Sequence, residues 1–146
     1  MNYTKVLVSI SLAACVSFAA ETRVQMKDLP APVQKTVNEQ TKNARLKGLS
    51  RETEKGKTYY EAETMVNGKS RDLLIDPTGA VVEVEESTTL DSLPAPAKAA
   101  IEKYAQGGKI VKVESVTKGS AVSYEATVTK GGKRSEIAVD TDGNRK

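Results

Sequence analysis

The chain of 146 residues has no histidine and no tryptophan, and it has a single cysteine, Cys15, and a single phenylalanine, Phe18. Each absence removes a class of chemistry. With no His, and with its one Cys inside an N-terminal apolar run, the chain cannot build a Ser-His or Cys-His nucleophilic pair. A zinc site with ordinary ligands is excluded on the same ground. No glycine-rich phosphate loop is present. Acids are plentiful, so a carboxylate-pair hydrolase is not formally excluded, but short strands around a small core leave little room for a substrate cleft. The expectation is a protein that is not an enzyme and uses no cofactor. Long apolar runs are also missing: after the N-terminus nothing approaches the roughly 20 residues a membrane span needs. The formal charge is only +3, with lysines and glutamates interspersed, which argues against nucleic acid or an anionic membrane as partner.

What is there begins with an export signal. Lys5 supplies a positive start, Val6 to Ala14 form a short apolar run, and the small residues Ser17, Ala19 and Ala20 follow. Residues 1–20 therefore read as a signal peptide cleaved after Ala19 or Ala20, and the protein as periplasmic or secreted. Leu12-Ala13-Ala14-Cys15 also resembles a lipobox, so lipoprotein anchoring through Cys15 stays open. Against it, the sequence remains apolar from Val16 to Ala20. Removing residues 1–20 takes one lysine and no acid, so the charge falls to +2. The mature chain then has no cysteine, and packing alone must hold it together although export permits disulfides.

The chain also repeats itself. Leu29-Pro30-Ala31-Pro32 recurs 64 positions later as Leu93-Pro94-Ala95-Pro96, and the same offset maps Tyr60-Glu61-Ala62 onto Tyr124-Glu125-Ala126, Gly68-Lys69 onto Gly132-Lys133, and Asp76…Gly79 onto Asp140…Gly143. A fixed period of this kind indicates one folding unit used twice. Each unit opens with a helix, its prolines in the first turn. Leu29, Val33 and Val37 form one apolar stripe, and Leu93, Ala97, Ala100, Ile101 and Tyr104 the other. Asn43 and Gly107-Gly108 stand where C-caps are expected. A first strand follows in each unit, over 45–53 and 109–118. Asn67-Gly68 and Gly131-Gly132 then mark type I′ hairpins, whose two-residue loops fix the register: Val66 faces Lys69, Ala62 faces Leu73, Tyr60 faces Ile75, Ala126 faces Ile137 and Tyr124 faces Val139. Asp76 and Asp140 open tight turns closed by Gly79 and Gly143. A fourth strand over 80–85 completes the first unit, whereas the second stops three residues past Gly143, its last strand truncated and its edge open to strand addition. The expected fold class is α+β: two tandem repeats, each a helix packed on a three- to four-stranded antiparallel sheet. They occupy 21–86 and 93–146, joined by a polar linker over 87–92.

These residues resemble the PepSY-like family of exported bacterial domains: Leu-Pro at a helix start, a Tyr-Glu strand, an (Asn/Gly)-Gly-Lys hairpin and an Asp-x-x-Gly turn before a last strand, all seen twice. The shortened C-terminus departs from that pattern. The resemblance implies a small α+β binding or regulatory module, and some members accompany peptidases as inhibitory segments. Two tandem α/β units are also similar in architecture to the beta-lactamase inhibitor protein family, a likeness at the level of fold.

The hairpin registers put Glu61 and Glu125 on the face away from the helices, opposite Leu74 and Ala138. Glu63 faces Asp72, a like-charge pair that needs a lysine neighbour, a cation or a basic partner. Tyr59, Met65 and Leu74 share that face, while Tyr60 and Tyr124 point inward. Tyr59, Glu61, Glu63, Met65, Asp72, Leu74 and Glu125 are thus the candidate partner-binding residues. Packing of the two units on each other would bury the same cluster. The function expected is an exported, non-enzymatic protein-binding module that inhibits or regulates a peptidase or another envelope protein. The alternative is a calcium-binding or structural envelope protein. Asp140-Thr141-Asp142-Gly143-Asn144 resembles the start of a calcium loop, but the chain ends before the distal ligands, so a tight turn is the better reading and no metal residue is assigned.

Overall fold

The computed structural model describes residues 21–146; the segment 1–20 expected to be a signal peptide, with Cys15, lies outside the described residues. Two helices, α1 (Ala31–Gln40) and α2 (Ala95–Ala105), pack on strands β1 (Thr22–Arg23), β2 (Arg45–Glu54), β3 (Lys57–Val66), β4 (Lys69–Ile75), β5 (Val81–Ser87), β6 (Lys109–Lys118), β7 (Ala121–Lys130) and β8 (Lys133–Asp140). All eight strands form one antiparallel sheet in simple sequence order. This overturns the expectation of two tandem helix-on-sheet units. β5 pairs directly with β6, matching Val84 with Thr117, Glu85 with Val116, Glu86 with Ser115 and Ser87 with Glu114. The physical reason is the sheet edge. Two separate sheets would each expose a row of unpaired N–H and C=O groups at this junction, and pairing β5 with β6 removes both edges at once. Strand makes up 52% of the described residues and helix 21%, so the sheet is the frame and the helices cover it.

The hairpin chemistry reads through to the structure. Asn67 and Gly68 have φ of 51° and 81°, Gly131 and Gly132 have 56° and 75°, as a type I′ turn demands. The registers they impose are those expected, including Tyr60 with Ile75, Ala62 with Leu73, Tyr124 with Val139 and Ala126 with Ile137. The Asp-led turns form as expected too: Asp76 Oδ1 accepts from the N–H groups of Thr78 and Ala80, at 2.8 and 3.1 Å, and Asp140 Oδ1 from those of Asp142 and Asn144, at 2.9 and 2.8 Å. These bonds use the Asp140 oxygens locally and hold its carboxyl below the usual range, the Asn144 side chain contributing most. Gly79 closes its turn against the start of α1. A Cβ there would meet the Pro32 carbonyl oxygen at 2.8 Å, and φ is +90°.

The end of α1 differs from expectation. α1 stops at Thr41, whose hydroxyl donates to the Val37 carbonyl at 2.8 Å, so Asn43 is not the cap. A hydroxyl that returns to its own last turn satisfies a terminal carbonyl without glycine. In α2 the left-handed backbone begins at Gln106 and continues through Gly107, φ 49° and 75°, so the helix ends at the expected glycine.

The core lies between the helices and one sheet face, in two clusters. Val33 and Val37 with Leu29 meet Leu49, Ala62, Leu73 and Ile75 under α1. Leu93, Ala97, Ile101 and Ala105 meet Val113, Ala126, Val128, Ile137 and Val139 under α2. Tyr60 and Tyr124 pack against these clusters. The C-terminal residues fold back on the β8 edge, with an Arg145–Val139 bridge and the Lys146 N–H donating to the Ala138 carbonyl at 3.0 Å. The edge expected to stand open is therefore partly covered.

Candidate functional site: the open face of the sheet

Alternation along each strand sends every second side chain to the face away from the helices. The pairings place Glu52 of β2, Tyr59, Glu61, Glu63 and Met65 of β3, and Asp72 and Leu74 of β4 on that face. Beside them lie Glu83 and Glu85 of β5, Glu114 and Val116 of β6, and Glu125 of β7. All seven residues expected to bind a partner thus lie on one surface, each half-buried. Six of them are contiguous on β3 and β4. Glu125 stands three strands from β4, roughly 14 Å at the ordinary strand spacing.

The residues that fill this gap, Glu83, Glu85, Glu114 and Val116, were missed by sequence reasoning. Their alternation was visible in Val82-Glu83-Val84-Glu85 and Val113-Glu114-Ser115-Val116. Nothing local said that these two strands would be neighbours.

The face is densely acidic, and its charges are unevenly matched. Glu83 and Glu114 are only 8% and 6% exposed, and each meets one lysine: Lys118 Nζ at 2.5 Å from Glu83, and Lys112 Nζ at 2.6 Å from Glu114. The like-charge pair of Glu63 and Asp72 finds two sources of relief. Arg23 reaches Glu63 from β1 at 2.7 Å, and Asp72 accepts the Thr64 N–H at 3.2 Å. Glu61 accepts the Ser50 hydroxyl at 3.2 Å.

Burial and mutual repulsion mark the proton affinities. Desolvation, then the fields of Asp72 and Glu21, raise the Glu61 carboxyl to about 7 against the Ser50 bond. Desolvation, then Glu114, Glu125 and Glu61, raise Glu85 to about 7. Burial also raises Asp72, Glu52 and Glu125, with Glu136 and Glu114 adding to the last. At Lys112 burial works against the ammonium, but the bond to Glu114 and the fields of Asp72 and Glu85 outweigh it and raise its pKa.

Two groupings bring three carboxylates within 4.8 Å of one another: Glu21, Glu61 and Glu63, and Asp72, Glu85 and Glu114. Either has the oxygen ligands a hard cation takes. In each, a protein cation already touches one member, Arg23 on Glu63 and Lys112 on Glu114. Elsewhere, a shallow groove of 440 Å³ near the β3–β4 turn is lined by residues that include Lys69, Ser70, Arg71, Glu86, Ser87 and Ser115. Within it Arg71 is engaged by Glu86 at 3.4 Å and by Gln40 at 3.3 Å, and the Ser70 and Ser87 hydroxyls bond each other. Among the described residues no helix is long and apolar enough to cross a membrane.

No family model matches the chain, and no curated protein matches it. Its fold does match solved structures. A protein provisionally assigned to the periplasm of Bacteroides eggerthii DSM 20697 aligns with a TM-score of 0.65 and 21% identity, over 80% of this chain and 85% of that one. A DUF2874 family protein from Bacteroides uniformis ATCC 8492 aligns at 0.62 and 20%, over 80% and 85%. A BLIP-like protein from Bacteroides fragilis NCTC 9343 aligns at 0.55 and 18%, over 78% and 80%. At such identities the likeness is one of fold: these chains share an extended antiparallel sheet with its covering helices. The PepSY-like resemblance finds no support among them; the shared architecture is that of the DUF2874 and BLIP-like proteins.

Proposed function

We propose that the protein is an exported, non-enzymatic binding module that docks the open face of its sheet onto another envelope or secreted protein, with inhibition or regulation of a peptidase as one outcome. One observation carries this reading. The helices cover only one side of the sheet, and on the other side Tyr59, Met65 and Leu74 lie half-buried among carboxylates with no second layer over them. An aromatic and apolar cluster rimmed by polar side chains on an uncovered sheet face is the arrangement of a partner surface. The fold likeness to a BLIP-like protein and to a protein provisionally placed in the periplasm supports the same direction. Export is part of the proposal, with residues 1–20 removed as a signal peptide.

The calcium reading is weaker, because Arg23 and Lys112 already supply a cation to each carboxylate grouping. The docking reading is tested by immobilising the mature chain, capturing from periplasmic and culture extracts, and assaying the activity of whatever enzyme is retained. The paired variant Met65→Ala and Leu74→Ala is expected to retain roughly tenfold less, because it removes apolar contact at the centre of the patch. Undiminished retention by a folded variant sinks the assignment of the face.

A further inference from the structure

We infer that the partner's docking surface is cationic: a polypeptide segment that lays lysine or arginine side chains across β3 to β7. This rests on the docking reading above and narrows it. The argument is one of charge complementarity. The whole chain is slightly basic, at +3, yet acids crowd the open face. Many of its basic residues lie elsewhere, on the helices at Lys35, Lys98 and Lys103 and at strand ends such as Lys69, Lys130 and Lys133. Acids therefore outnumber cations across the centre of the face.

Three cations at the centre of the face are already engaged, Lys118 by Glu83, Lys112 by Glu114 and Arg23 by Glu63, while Arg45 opposite Met65 and Lys146 on the Ser123 hydroxyl lie toward its margins. Glu61, Asp72, Glu85 and Glu125 have no ion-pair partner among the described residues. They sit half-buried on β3, β4, β5 and β7, with the apolar Tyr59, Leu74 and Val116 between them. A neutral or acidic partner would leave these carboxylates buried without a counter-charge, which disfavours it. Lysine and arginine remove that cost twice over: the head groups neutralise the carboxylates and the methylene stems cover the apolar side chains between them. Two copies of this chain docking face to face would bring like charge against like charge, which disfavours a symmetric dimer through this surface.

The test uses the mature chain and two labelled peptides of equal length, one alternating lysine with alanine and the other glutamate with alanine, read by fluorescence anisotropy near physiological salt. The lysine peptide is expected to bind at least tenfold tighter than the glutamate peptide, and to weaken as salt is raised. Glu61→Gln combined with Glu85→Gln is expected to weaken it roughly tenfold, while Glu39→Gln with Glu102→Gln on the helices leaves it unchanged. Equal binding of both peptides, or equal loss in both pairs of variants, overturns the inference. Self-association that the lysine peptide does not displace assigns the face to a second copy and overturns it too. If the Met65 and Leu74 variants abolish capture but the lysine peptide has no advantage, the docking reading survives and the cationic partner does not. If neither perturbation matters, both fail.

Discussion

Replacing Glu85 by glutamine removes a charge from the middle of the sheet and is expected to stabilise the protein above neutral pH. Glu85 lies on β5, half-buried between β4 and β6, and burial with its acidic neighbours lifts its carboxyl from 4.5 to about 7. A raised carboxyl binds its proton more tightly folded than unfolded. Its stabilising contribution is therefore complete below the unfolded pKa of 4.5 and is lost as pH rises through about 7. At full weight a shift of that size corresponds to roughly 3 kcal/mol. The side chain still meets solvent, and screening brings the expectation to about 1–2 kcal/mol. Glutamine keeps the shape without the charge, so it should recover that amount at pH 8 and nothing near pH 4.5. At roughly 4 °C per kcal/mol for a chain of this size, the melting temperature at pH 8 should rise by about 4–8 °C. Thermal melts followed by circular dichroism at the two pH values read the difference directly. Wild-type protein should itself be less stable at pH 8 than at pH 5, since Glu61 is raised by the same causes. A variant destabilised equally at both pH values, or a wild type that gains stability between pH 5 and 8, would refute the reasoning. The result bears on function, because a fold that keeps a destabilising row of acids on an uncovered face keeps them for something other than stability.

Two further outcomes follow from geometry. Gly79→Ala combines a left-handed backbone with a Cβ set 2.8 Å from the Pro32 carbonyl oxygen, whereas Gly68→Ala meets the same backbone demand with nothing within 4 Å; urea unfolding should show a loss of about 3 kcal/mol or more for the first and about 1 kcal/mol for the second, and equal losses would mean the turn does not press on α1. Millimolar calcium should leave the melting temperature within about 1 °C, because a site filled to ten times its dissociation constant adds about 1.4 kcal/mol, several degrees here; a rise of that size would favour the calcium reading over protein docking.

Local chemistry was legible in the chain wherever one turn or one stripe decides the outcome. Asn67-Gly68 and Gly131-Gly132 demand two left-handed residues, and that loop length sets which side chains face each other. The apolar spacing of Leu29, Val33 and Val37, and of Leu93, Ala97 and Ile101, determined which helix faces are buried. From these registers alone, Tyr59, Glu61, Glu63, Met65, Asp72, Leu74 and Glu125 could be placed on one side of the strands. Only the tertiary structure decided that β5 joins β6, and with it that a single sheet replaces two. Hydrogen bonding between strand backbones carries no signature in side chains 30 residues apart; it is settled by the energy of leaving two edges unpaired. That one pairing brings Glu85 beside Glu114 and so turns two acidic patches into a continuous charged face.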